Sequence, residues 1–298
     1  MGARSPSFAR LALVLPVLGP LAYSRVASAD SAPGPASSPA PAPSKAVAAP
    51  ARVPLEPEFV NFASGALTLG GFLYRPPGPG PFPAIVFNHG SEENPGAKEG
   101  QARFYVEHGF VLFVPHRRGQ GSSRHAGTDI NTLYNPAASD SPAFADALVA
   151  QADDVTAAIT YVASLPYVDK TRVATVGCSL GGIQSLLAAE RGAGIVAAVD
   201  FAGGAITWAS NTPLRDRMKT AARNAKVPVF FLQAENDYDT TPSRVLSDEM
   251  KQAGHPMRLH IFPPNGTTAK DGHGFCVGGP RPAWGDEVLR FLSEAMKR

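Results

Sequence analysis

The chain has 298 residues, 44% hydrophobic and 17% charged, enough apolar content for a real core and too much for a chain disordered throughout. Its 27 basic and 25 acidic residues leave a formal charge of +2 with no basic stripe, which excludes nucleic acid as an expected partner.

The N-terminus carries Arg4 and Arg10 ahead of an apolar run over 11–22, then small residues at Ala27-Ser28-Ala29. That order predicts a signal peptide over 1–29 and a secreted or periplasmic protein. The run is shorter than the roughly 20 residues of a membrane helix, and Pro16 and Pro20 interrupt it, so no stable anchor is expected after cleavage; an uncleaved anchor is the alternative. Losing Arg4, Arg10 and Arg25 would take the charge from +2 to −1. Residues 30–54 are almost entirely Ala, Pro and Ser and read as a disordered linker. One catalytic domain is expected over 55–298.

Within it, strands are predicted at 66–74 and 83–88, a helix at 97–108 and a strand at 110–114. A polar stretch over 119–142 is short for a lid domain, so an open or lightly capped site is expected. A helix follows at 143–164, with Ala147, Val155, Ala158, Ile159 and Val162 at helical spacing. Next come a strand at 172–176, a helix running to Gly192, and strands at 195–201, 227–232 and 258–262. Helices at 213–225, 241–253 and 282–296 complete the alternation. Strand–helix alternation predicts a mainly parallel sheet covered on both faces, an α/β fold.

Gly177-Cys178-Ser179-Leu180-Gly181 lies between a strand and a helix, the setting in which Gly-x-Ser-x-Gly has a mechanism. A sharp turn lifts the serine hydroxyl above the sheet, and a Cβ at either glycine would collide with neighbouring backbone. Ser179 is therefore the candidate nucleophile; a helix-capping serine on a Gly-rich turn is the alternative. A serine hydroxyl needs a base to take its proton and a third group to orient that base. His273, on a Gly-flanked loop past the last strand, is the candidate base. Asp237, just beyond the strand at 227–232, is the candidate acid, with Asp239, Glu235 and Asp271 as alternatives. The oxyanion donors are expected to be the backbone N–H groups of Leu180 and of Ser91, in Asn88-His89-Gly90-Ser91.

These pieces, with Arg117-Arg118-Gly119-Gln120-Gly121-Ser122-Ser123, Gln233-Ala234-Glu235-Asn236-Asp237 and Gly272-His273-Gly274-Phe275, resemble the dienelactone-hydrolase-like branch of the α/β hydrolases. The resemblance spans about 190 residues and implies the α/β-hydrolase fold. Dienelactone hydrolases carry Cys where this chain has Ser179. The resemblance therefore implies a general carboxylic-ester hydrolase working through an acyl-serine, acting on a small-molecule ester.

Cys178 and Cys276, the only cysteines, each neighbour a candidate site residue and are expected as two small buried thiols, with a disulfide as the alternative. Arg117 and Arg118 are expected to tie loops together rather than bind substrate, and His89 to be structural. Trp208, Tyr134, Tyr238 and Phe275 fall in loops at the expected ligand end of the sheet and are candidates to line the pocket. No metal site and no cofactor are expected, and the sequence leaves the oligomeric state open. A serine peptidase or amidase on the same constellation, and a non-catalytic binding module on the same fold, are the competing functions.

Overall fold

The computed structural model describes residues 55–277 and 281–297. The expected signal peptide and linker lie outside the described residues. Eight strands, β1 (Glu58–Ser64), β2 (Leu67–Tyr74), β3 (Phe82–Asn88), β4 (Val111–Pro115), β5 (Val168–Cys178), β6 (Ala197–Phe201), β7 (Val229–Ala234) and β8 (Met257–Phe262), form one sheet in the order β1-β2-β4-β3-β5-β6-β7-β8. β1 and β2 make an antiparallel hairpin, β2 pairs antiparallel with β4, and the remaining pairs are parallel. The expected mainly parallel sheet is present, with an antiparallel edge that includes β1, a strand not foreseen in the sequence. β5 starts at Val168 rather than 172, because Val168 already pairs with Phe82 across a register irregularity.

The helices are α1 (Glu99–Glu107), α2 (Ala143–Ala163), α3 (Leu180–Arg191), α4 (Thr212–Arg223), α5 (Thr241–Gln252), α6 (Ala269–His273) and α7 (Gly285–Ala295). Successive strand residues face opposite sides of the sheet. Ala84 and Val86 join one core with residues of α2 to α5, while Ile85 and Phe87 join the other with α1 and α7. Strands buried on both faces explain the near-continuous apolar runs of β3, β4, β6 and β7. The stretch 119–142 holds only two short 3₁₀ turns, Gly121–Ala126 and Ile130–Leu133, among the described residues. The carboxyl ends of β3, β5, β6, β7 and β8 open on one edge, where loops can converge on a ligand.

Candidate active site

Between β5 and α3 the chain reverses through Ser179, whose φ of 59° and ψ of −121° are sparsely populated for a residue with a side chain. The Ser179 N–H donates to the Phe201 carbonyl at 2.8 Å, and the Gly182 N–H returns to the Ser179 carbonyl at 2.9 Å. A Cβ on Gly177 would strike the Gly181 carbonyl, and one on Gly181 the Asn88 carbonyl. The tight turn thus demands glycine on both sides of the serine.

His273 Nε2 lies 2.9 Å from Ser179 Oγ, and its Nδ1 lies 2.8 Å from Asp237 Oδ1. His273 is the last residue of α6, not a loop residue; Thr268 and Asp271 cap that helix reciprocally, which puts Asp271 to structural use. Asp239, just before α5, accepts the Thr241 N–H, and Glu235 is exposed. Of the four acids considered, Asp237 is the one that the structure brings to the histidine. Its side chain is fully buried. Its Oδ1 also accepts the Tyr238 N–H, and its Oδ2 accepts Gln233 Nε2 at 2.9 Å. Gln233 is held in turn by Ser243 Oγ and donates to the Asp239 carbonyl. Sequence reasoning passed over Gln233; a lone amide in the apolar strand β7 was the signal.

With an Nδ1–H tautomer oriented by the Asp237 carboxylate, Nε2 is free to accept the Ser179 proton. The Gly90–Ser91 peptide lies against this turn: a Cβ on Gly90 would stand 3.5 Å from the Ser179 Cβ. Neither the Ser91 nor the Leu180 N–H donates to an acceptor among the described residues. Leu180 opens α3, so its N–H is one of the helix's orphan donors at the positive dipole end.

Arg117, buried completely, places Nη2 2.9 Å from the Gly90 carbonyl and Nε 3.0 Å from Gln151 Oε1. Burial draws its pKa down to about 10, which leaves it a cation at neutral pH. His89 Nδ1 also approaches the Gly90 carbonyl, at 3.0 Å; burial and the Arg117 charge hold its pKa well below the usual histidine value. Arg118 forks onto the buried Asp154, which also accepts the Ser64 hydroxyl of β1. Both arginines therefore tie loops together, as expected.

A pocket of about 60 Å³ opens beside Ser179, with Ser91 and Leu180 on its wall and Tyr134, Phe144, Ile206 and Thr207 around it. Tyr134 packs on Phe144 and its hydroxyl meets Ser210 Oγ at 2.6 Å. The buried Thr207 hydroxyl has no partner among the described residues. Three of the four expected pocket residues are corrected, and of them only Tyr134 lines the pocket. Trp208 is packed into the core, and Phe275 packs against Phe262, ring centroids 4.8 Å apart and tilted. Tyr238, half exposed, stands edge-on to the His273 ring at 5.5 Å, outside the pocket lining.

The expectation of two free thiols is also overturned. Cys178 and Cys276 form a disulfide with Cα atoms 6.0 Å apart, well inside the usual span. The compact turn of α6 into Gly274–Val277 folds Cys276 back onto the Ser179 turn. Among the described residues no group of three or more His, Cys, Asp or Glu could hold a metal ion, and no helix is long and apolar enough to cross a membrane.

The dienelactone hydrolase family profile matches residues 69–284. The uncharacterized peptidase YtmA of Bacillus subtilis is 23% identical over 243 residues, covering 69% of this chain and 86% of that protein. The acylaminoacyl peptidase of Pyrococcus horikoshii superposes with a TM-score of 0.62 at 19% identity over 82% of this chain, which spans only 42% of the peptidase. A Klebsiella pneumoniae protein assigned as a dienelactone hydrolase superposes at 0.56 with 17% identity over 81% of this chain and 99% of its own length. At these identities the structural likeness is one of fold, the α/β-hydrolase sheet with its covering helices. The match over most of the described domain makes the chain a member of the dienelactone hydrolase family, a hydrolase family of α/β-hydrolase fold.

Proposed function

We propose that the protein is a serine hydrolase that cleaves esters of short, uncharged carboxylic acids. The hydrogen-bonded run from Ser179 through His273 to Asp237 carries this reading. Ser179 Oγ attacks the ester carbonyl as His273 Nε2 takes its proton, while Asp237 holds the ring and balances the imidazolium. The N–H groups of Leu180 and Ser91 receive the oxyanion, a role worth about 3 kcal/mol per donor. His273 returns the proton to the departing alcohol, and water then releases the acid from the acyl-serine. The alcohol must face His273 to receive that proton, yet His273 is not among the residues lining the pocket. The pocket therefore takes the acyl group. No Lys, Arg, Asp or Glu lines it, and its volume suits a few heavy atoms, with Asn131 and Tyr134 as its polar side chains besides Ser91, Ser179 and Thr207.

Export to an oxidising compartment belongs to the same proposal, and the Cys178–Cys276 disulfide supports it. Amide hydrolysis is the second reading, favoured by the likeness to the two peptidases. A fluorophosphonate probe is expected to label the wild type and not Ser179→Ala. p-Nitrophenyl acetate and propionate should turn over at least about tenfold better in kcat/KM than the octanoate, a loss of about 1.4 kcal/mol in transition-state binding. Labelling that survives in Ser179→Ala removes the assigned nucleophile. A wild type that neither labels nor turns over any ester returns the chain to a binding module. Anilide turnover equal to the esters favours the peptidase, and an octanoate preference refutes the short acyl site.

A further inference from the structure

Arg117 lies behind the candidate oxyanion site, and its side chain reaches neither the pocket nor a carboxylate within hydrogen-bond distance. A buried guanidinium that donates chiefly to neutral oxygens is a costly thing to keep for packing alone. Its Nη2 donates to the Gly90 carbonyl at 2.9 Å, and His89 Nδ1 and Gln120 Nε2 reach the same oxygen at 3.0 and 3.4 Å. Three side chains thus converge on one backbone carbonyl. The peptide that follows is planar and trans, so the Ser91 N–H points opposite to that carbonyl. Fixing the oxygen toward the interior fixes the N–H outward, on the side where Ser91 lines the pocket with Ser179. From the outer side, Asn131 Nδ2 donates to the Ser91 carbonyl at 2.8 Å and holds the next peptide.

We infer that Arg117 is a positioning residue for the reaction: by clamping the Gly90 carbonyl it aims the Ser91 N–H at the oxyanion. The inference rests on the serine-hydrolase reading above. Its positive charge also sits one peptide behind the site where negative charge develops. Polarising the Gly90 carbonyl strengthens the Ser91 N–H as a donor, because both belong to one conjugated unit.

A device of this kind acts in the transition state rather than on bound ester, so it separates kcat from KM. Arg117→Met is expected to lower kcat for p-nitrophenyl acetate by about 10- to 100-fold, less than outright loss of an oxyanion donor, with KM within about threefold. Affinity for a trifluoromethyl ketone, whose serine adduct carries the oxyanion, should fall in parallel. Arg117→Lys, which keeps a donor and the charge without the planar fork, should recover part of both. A folded Arg117→Met, checked by circular dichroism and melting, that keeps wild-type kcat overturns the inference, as does a loss carried by KM alone. Should Arg117→Met not fold, Gln151→Met frees the Arg117 Nε and leaves the cation in place. A folded Gln151→Met is expected to lose kcat at unchanged KM, and wild-type kcat there overturns the inference. A wild type inactive on every ester overturns the function itself, a separate outcome.

Discussion

Asp200, the fourth residue of β6, gives one carboxyl oxygen to the Gly203 N–H at 2.8 Å and leaves the other without a partner among the described residues. Its burial behind the first turn of α3 raises its pKa to about 7, against the opposing pull of the Gly203 amide. In the unfolded chain the carboxyl ionises near pH 4, so between about pH 4 and 7 the folded state binds the extra proton. Stability from this group is present at acid pH, declines as pH rises through that window, and levels off above it. Asp200→Asn keeps the acceptor for Gly203 and cannot ionise. It should melt higher than wild type above pH 7, by up to about 4 kcal/mol in free energy, with the gap closing toward pH 4. Parallel melting curves for the two proteins across that range would contradict the shift. The same scale shows where sequence reading ends. That Ser179, Asp237 and His273 come together was legible because the proposed chemistry dictates their order and spacing relative to strands. Trp208, Tyr238 and Phe275 were misplaced because an aromatic in a loop carries no sign of which way it faces.

At the scale of elements, the strand–helix alternation of β3 to β8 was legible because strands buried on both faces leave continuous apolar runs. β1 was missed because only Val60 and Phe62 supply an apolar inward face, and α6 because five residues, Gly272 among them, show no periodicity. Missing α6 left the disulfide as the lesser alternative, since the turn it makes brings together two cysteines 98 residues apart in sequence. That bridge joins the Ser179 turn to the segment carrying His273, each otherwise held by its own hydrogen bonds. Closing so long a loop restricts the unfolded chain by about 4–5 kcal/mol in the chain-entropy view, and measured losses run near 2–5 kcal/mol. Thiol titration of the denatured, unreduced protein should find no free groups. Reduction should then lower the melting temperature by on the order of 5–15 °C, at about 2–4 °C per kcal/mol for a domain of this size. Two titratable thiols before reduction would refute the bridge.

The molecule as a whole places its candidate site residues at one edge of a sheet: Ser91 follows β3, Ser179 follows β5, Thr207 follows β6, Asp237 follows β7 and His273 lies beyond β8. Such a site depends on the sheet's order from edge to edge, and β1 closes the edge away from the histidine. Through Phe62, β1 packs edge-on against Phe113 of β4, and through Ser64 it reaches Asp154 of α2. Asp154 anchors Arg118, and Arg118 adjoins the Arg117 clamp on the Gly90 carbonyl. The edge strand is thus connected by packing and hydrogen bonds to the loop beside Ser179. A chain beginning at Leu55 keeps every one of these contacts and is expected to match the full chain in melting temperature and ester turnover. A chain beginning at Leu67 loses the whole β1–β2 ladder, the Phe62 ring and the Ser64 bond to Asp154. Burying an aromatic of that kind is worth about 3–5 kcal/mol by itself, and each hydrogen bond lost from the β1–β2 ladder adds about 0.5–1.5 kcal/mol, while Asp154 keeps Arg118. Losses of that size consume most of the 5–15 kcal/mol that holds a domain folded. The shorter chain should therefore melt far lower or fail to fold, read by circular dichroism and by fluorophosphonate labelling of Ser179. Equal melting of the two truncated chains would show that β1 is an appendage and that the sheet supporting the site begins at β2.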